Sequence, residues 1–266
     1  MSTLAEPYTE REGSEFAHFD GFCVEYRDAS HRYWLHYDEK RIDALSVTSA
    51  LKIIDKPALV KWAERAGVEA ALEIIREIPY PSELTPDALL TAVRSSKLSA
   101  DAKKKAGGGR GTAVHEALRV YCEGGSPPDL RKVDREVRGY VQGLSKWLLA
   151  AKPEPVLVEQ IIGSKEHGYA GRFDLLANIN GQRVLCDLKT AKRPYAEHSL
   201  QLGAYMYALE ECFGETCWAD AGMVVLVTSE GEFTTSPCRA EPEDFLSVLD
   251  CHRAVTRVRN AMKGER

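Results

Sequence analysis

The chain has 266 residues, 44% of them hydrophobic and 28% charged, with a formal net charge of −5 at neutral pH. That supplies enough apolar material for one elaborated domain or two small ones, and it excludes both a disordered polar chain and a uniformly basic nucleic-acid coat protein. No run of 18 apolar residues occurs, the N-terminus lacks the basic-then-apolar order of a secretory signal, and the seven cysteines are odd in number. These features point to free thiols in a reducing, cytoplasmic setting without a membrane span.

In chain order, residues 1–20 are polar and read as loose. Phe22–Tyr26 and Arg32–Tyr37 read as strands, the second alternating aromatic and polar side chains. Leu45 to Leu51 leads into short helices, and Pro57 suits the first turn of a helix holding Leu59, Trp62 and Ala63. Pro79 and Pro81 interrupt that pattern, Thr85-Pro86 restarts a helix to about Lys104, and Gly107–Gly109 reads as a hinge. Thr112 is then expected to N-cap a helix over 110–123, with His115, Leu118 and Cys122 on one face. A helix follows at 130–150, then strands near 155–162, 168–179 and 183–190. A helix at 197–212, strands near 218–228 and 232–237, and a helix from Glu241 complete the chain. The expected division is an N-terminal hairpin and helical elaboration, 1–106, and a core domain, 107–266.

Within that core, Asn180-Gly181 between two apolar runs is the signal for a two-residue hairpin, because both turn residues must take positive φ. On that turn Ile179 faces Gln182 and Asp174 faces Asp187, with Cβ atoms roughly 5 Å apart. Lys189 projects from the same face as Asp187, because side chains alternate along a strand. Facing carboxylates repel unless a cation or a shared proton relieves them, and the apolar neighbours Phe173, Leu175, Leu176, Val184 and Leu185 make the hairpin a covered element. Solvated surface aspartates are the plain alternative. A metal site is the reading that the covering favours.

Asp174 followed twelve residues later by Asp187-Leu188-Lys189 resembles the Asp…(Asp/Glu)-x-Lys signature of the PD-(D/E)XK nuclease superfamily. Gly111-Thr112-Ala113-Val114-His115 resembles the Gly-Thr-x-x-His helix of its RecB-type exonuclease branch. Val156-Leu157-Val158-Glu159 resembles that branch's first strand, and Gln201-Leu202-Gly203-Ala204-Tyr205 its Gln-x-x-x-Tyr helix. The four blocks come in the family's order over residues 107–230. The N-terminal hundred residues have a looser likeness to phage-type exonucleases, through Lys56-Pro57, Leu59 and Trp62-Ala63; a helical cap over the sheet is their plain alternative.

The resemblance implies an α/β, restriction-endonuclease-like core, a mixed central sheet flanked by helices in α-β-β-β-α-β order, with an N-terminal, mainly helical elaboration. It implies catalysis by Asp174, Asp187 and Lys189, and one or two Mg²⁺ or Mn²⁺ ions on His115, Asp174, Asp187 and the Leu188 backbone carbonyl. Glu159 stands either as a further ligand or as a strand-end charge. Lys189 would help deprotonate the attacking water or stabilise charge growing on the phosphate. Gln201, Tyr205, Arg110 and Thr190 would support the site or touch phosphate; Lys103, Lys104, Lys105, Lys192 and Arg193 are DNA-contact candidates, with a solvated face as the alternative for 103–105. No tight cysteine cluster of the iron–sulfur kind appears, Cys212 and Cys217 being the closest pair, so no such cluster is expected. The implied substrate is DNA, in recombination, repair or processing, with a recombinase or single-strand-binding protein as a conceivable partner and no oligomeric state specified. An endonuclease and a non-catalytic DNA-binding module on the same fold remain the rival readings. The complete Asp174, Asp187 and Lys189 set argues against the latter.

Overall fold

The computed structural model describes residues 13–54, 56–80, 84–124 and 126–264. Its contacts divide the chain into two compact units. Described residues up to Ile54 and from Val114 onward form the first; those between Asp55 and Ala113 form the second. This differs from a single boundary at residue 106, because the N-terminal strands belong with the C-terminal half. The first ten residues of the segment expected to be loose lie, like residues 11 and 12, outside the described residues.

The first unit holds one sheet of nine strands, counted among the described residues. Four come from the N-terminal meander: β1 (Ser14–Phe19), β2 (Phe22–Arg27), β3 (Arg32–Tyr37) and β4 (Lys40–Ser46). Five follow: β5 (Glu154–Ser164), β6 (Tyr169–Ile179), β7 (Gln182–Lys189), β8 (Ala221–Val227) and β9 (Phe233–Pro237). The order is β1-β2-β3-β4-β6-β7-β8-β9, with β5 on the other edge of β6. Most pairs are antiparallel, while β4–β6 and β7–β8 are parallel. This is the expected restriction-endonuclease-like mixed sheet, but the elaboration is strand-built where it joins the core. Ser14–Phe19 is a strand rather than a loose segment because Ala17 and Phe19 alternate into the core. β4 escaped prediction because its Lys-Arg-Ile-Asp run is mostly polar and only Ala44 is buried.

Short helix α1 (Val47–Ala50) starts where Ser46 accepts the Ser49 N–H, and Pro57 opens α2 (Pro57–Glu77) in its first turn, as expected. In the second unit Thr85 caps α3 (Pro86–Ser95). The chain then breaks and re-enters a helix at α4 (Ala100–Gly124), where Ser99 Oγ accepts the Ala102 N–H. Thr112 is therefore no N-cap: it sits mid-helix with its Oγ1 donating back to the Gly108 carbonyl. Gly107–Gly109 is helical rather than a break. Glycine lowers helix propensity by ~1 kcal/mol per residue relative to alanine but does not forbid the conformation, and the Ser99 cap had already set the helix running.

Helices α5 (Arg138–Ala151), α6 (Ala196–Phe213) and α7 (Pro242–Gly264) complete the first unit. One apolar layer joins Leu202, Ala204 and Leu209 of α6 and Phe245 and Leu249 of α7 to Tyr169, Leu176 and Leu185 of the sheet. Val24 and Leu35 of the meander belong to the same cluster. The second layer joins Val114 and Leu118 of α4 and Leu144, Trp147 and Leu148 of α5 to Leu175, Ala177, Cys186 and Val225. No helix among the described residues is long and apolar enough to cross a membrane.

Candidate metal centre

The Asn180-Gly181 turn forms as its chemistry requires, with φ of 51° and 79°. The register runs from Ile179↔Gln182 to Leu175↔Cys186, so Asp174 and Asp187 are the next opposed positions beyond the last ladder pair. There the strands part. The edge of β6 that pairs with β7 at residues 175–179 pairs with β4 at 169–170, which leaves 171–174 at a fork between the two. At that fork Asp174 Oδ2 accepts the Leu188 backbone N–H at 2.6 Å.

Two side chains, His115 and Glu159, converge on the buried Asp174. His115 Nδ1 lies 2.8 Å from Glu159 Oε1 and 3.5 Å from Asp174 Oδ1. Ligand atoms of His115, Glu159 and Asp174 all fall within 4.8 Å of one another. Glu159 sits in β5 between the pairs Val158↔Leu175 and Gln160↔Phe173, hence opposite Asp174. Its φ is 48°, in the left-handed region. A non-glycine residue held there mid-strand costs ~1–3 kcal/mol, a distortion that clusters at functional sites. No feature of the Val-Leu-Val-Glu run announces it.

Asp187, expected as a ligand, faces Asp174 across the strands but is not one of these three converging groups. Its Oδ1 accepts from Lys189 Nζ at 2.7 Å, while its Oδ2 is buried and accepts no hydrogen bond from the described residues. A buried carboxylate oxygen left bare is costly unless a cation meets it. The His115 imidazole and the Glu159 and Asp174 carboxylates, with the bare Asp187 oxygen on the facing strand, are a donor set that fits a divalent cation of the Mg²⁺ or Mn²⁺ kind.

The electrostatics agree. Burial and the Asp187 charge raise Asp174 above the usual carboxylate range, against the pull of His115 and Lys189. Burial disfavours the His115 imidazolium, but the Glu159 hydrogen bond and the Asp174 and Glu159 charges outweigh it and raise the group to about 9. Burial likewise opposes the Lys189 ammonium, and the Asp187 and Asp174 carboxylates overcome it, so its pKa moves up. Two cationic side chains thus sit against the acids.

Gln201 and Tyr205 are joined on α6: Gln201 Nε2 donates to the Tyr205 hydroxyl at 3.2 Å, and both are buried. A Cβ at Gly171 would lie 2.6 Å from Tyr205 Cε1, so only glycine lets β6 pass the ring. Thr190 follows the last residue of β7, and Lys192 and Arg193 are exposed in the next loop, where the Arg193 guanidinium lies 5.2 Å from the Tyr195 ring centre. Lys103, Lys104, Lys105 and Arg110 lie on the stretch of α4 that belongs to the second unit, where Lys103 Nζ pairs with Glu69 at 2.9 Å.

Opposed acids and a lysine at the fork of a mixed sheet flanked by helices make this a restriction-endonuclease-like protein. The chain belongs to the PD-(D/E)XK nuclease superfamily: the family of that description matches residues 125–264, more than half of the sequence. Nucleases of this superfamily use divalent metal ions. The matched region holds Glu159, Asp174, Asp187, Lys189, Gln201 and Tyr205, while His115 precedes it. No curated protein matches the chain. A solved structure titled "Crystal structure of SSO0001" aligns with 73% of this chain and 85% of its own at 15% identity, with a TM-score of 0.30. A likeness that loose carries no inference about individual residues.

Proposed function

We propose that the protein is a metal-dependent deoxyribonuclease of the RecB-type branch, acting as an exonuclease on phage or prophage DNA during recombination, repair or processing. The observation that carries the reading is the cluster of His115, Glu159 and Asp174 beside the bare Asp187 oxygen and the charged Lys189.

His115, Asp174, Asp187 and the Leu188 carbonyl, with Glu159, would hold one or two Mg²⁺ or Mn²⁺ ions. A bound ion supplies Lewis-acid polarisation of a phosphodiester oxygen. Lys189 supplies fixed positive charge where the phosphate gains negative charge in the transition state. The Leu188 N–H orients Asp174, and the Gln201–Tyr205 pair keeps the Gly171 stretch of β6 in place beneath it. Thr190, Lys192 and Arg193 follow Lys189 in sequence and suit contacts to the DNA backbone. Arg110 and Lys103–Lys105 are proposed to add phosphate contacts from α4, Lys103 exchanging its Glu69 partner for one. The Gly111–His115 and Gln201–Tyr205 blocks favour the exonuclease branch over an endonuclease.

Incubating the protein with end-labelled linear DNA and with closed circular DNA, in Mg²⁺ or Mn²⁺, tests the reading. Loss of the end label or progressive shortening of the linear form, with the circle intact, is the expected result. Cutting of the circle makes the protein an endonuclease. Binding without any cleavage makes it a non-catalytic module.

A further inference from the structure

The fork at residues 171–174 carries a permanently charged side chain that the metal centre does not use. Arg172 lies two residues before Asp174 on β6, about 6.8 Å of strand, and pairs with Ile161 of β5. Its guanidinium carbon lies 5.0 Å from the centre of the Tyr26 ring, and that ring lies 4.7 Å from the ring of Tyr33. Both tyrosines come from the N-terminal meander, β2 and β3. The guanidinium donates to the Glu15 carboxylate, and the acid is the more exposed partner, 56% against 29%.

We infer that Arg172, seated on the Tyr26 ring, is a subsite for a nucleic-acid phosphate neighbouring the one cleaved, and that Glu15 competes with the nucleic acid for it. The inference rests on the proposed nuclease reading. Glu159, Asp174 and Asp187 repel a polyanion, so a strand entering this fork needs fixed cations beside them. An arginine whose planar fork is held against an aromatic face is already oriented for two hydrogen bonds to one phosphate. Its existing ion pair is exposed, and such pairs contribute little, so a phosphate displaces Glu15 at small cost. The plainer role is a clamp between β1 and β6.

The two roles separate in the full-length chain, by fluorescence anisotropy of a labelled oligodeoxynucleotide duplex with a single-stranded end, in Ca²⁺ over a salt series. Arg172→Ala is expected to weaken binding about tenfold and to reduce the slope of log K against log salt by roughly 0.7–0.9, the loss of one phosphate contact. Arg172→Lys keeps the slope with lower affinity. Glu15→Gln tightens binding about two- to fivefold, because the competitor is gone. In cleavage, Arg172→Ala raises KM and leaves kcat unchanged. A wild-type slope in Arg172→Ala, or no tightening in Glu15→Gln with both melting temperatures lowered, makes the pair a clamp and overturns the subsite alone. A wild type that neither binds nor cleaves the duplex overturns the nuclease reading and the subsite with it.

Discussion

Asp174 and Leu188 are joined across the fork: the carboxylate Oδ2 takes the backbone N–H of Leu188 at 2.6 Å, between Asp187 and Lys189. One side chain thus both belongs to the His115–Glu159 cluster and pins the strand carrying Asp187 and Lys189, so removing the charge and removing the acceptor should have different effects. Asp174→Asn keeps an oxygen for Leu188 and removes the repulsion from Asp187, so it is expected to abolish cleavage with an unchanged or raised melting temperature in metal-free buffer. Asp174→Ala leaves a buried N–H unmet and should cost ~1–3 kcal/mol as well. Paired melting and cleavage assays check this; equal losses of stability in both variants would show that the hydrogen bond is not what matters.

Lys189→Ala is expected to lower kcat by about 10²–10³-fold, the usual loss for a preorganised charge at a transition state. Mn²⁺ affinity is kept or improved, because a cation beside Asp187 opposes the binding of another. Calorimetric titration with Mn²⁺ reads the affinity directly. Full activity would remove Lys189 from the reaction.

His115→Ala removes both a nitrogen donor and the positive charge held against Glu159 and Asp174. The metal-free variant is expected to melt lower than wild type, and apparent metal affinity to fall roughly 10–100-fold, with Mn²⁺ restoring activity better than Mg²⁺. Activity across a concentration series of each ion is the measurement. An unchanged metal midpoint would place His115 outside the ligand set.

Glu25 of β2 gives the fold a pH signature of its own. Burial pushes its carboxyl up, but hydrogen bonds from Arg41, His36 and Ser14 and the Arg41 charge outweigh that and bring it down to about 2. A carboxyl depressed in the folded state contributes stability that is present above its ordinary value of 4.5 and is lost as pH falls towards about 2. Glu25→Gln should therefore lose ~1–3 kcal/mol at pH 7 and show a flatter decline between those two pH values. Denaturant melts from pH 7 to pH 2 compare the slopes.

Gly171→Ala forces a Cβ to within 2.6 Å of the buried Tyr205 ring. Overpacking of this kind costs ~1–3 kcal/mol and shifts backbone, here three residues from Asp174. Reduced stability and reduced activity together are expected. Tyr205→Phe on the Gly171→Ala background should not rescue it, because the ring rather than the hydroxyl makes the closest contact.

Local chemistry fixed the parts of the site that lie close in sequence. The Asn180-Gly181 turn sets the hairpin register, and the register opposes Asp174 to Asp187 and turns Lys189 to the same face; none of this needs a distant residue. The α6 pair is likewise one helical turn apart. What depends on distant contacts was legible only in part or not at all. Glu159 meets His115 across 44 residues of chain, and its left-handed backbone exists only because the surrounding strands hold it there. Strand β4 forms because it pairs with β6, although its own sequence is mostly polar, and α4 passes through its glycines because Ser99 starts it upstream. The sequence alone determined the chemistry of the hairpin, since turn and alternation are short-range. Tertiary structure decided which other side chains reach that hairpin, because only packing between distant segments sets those distances.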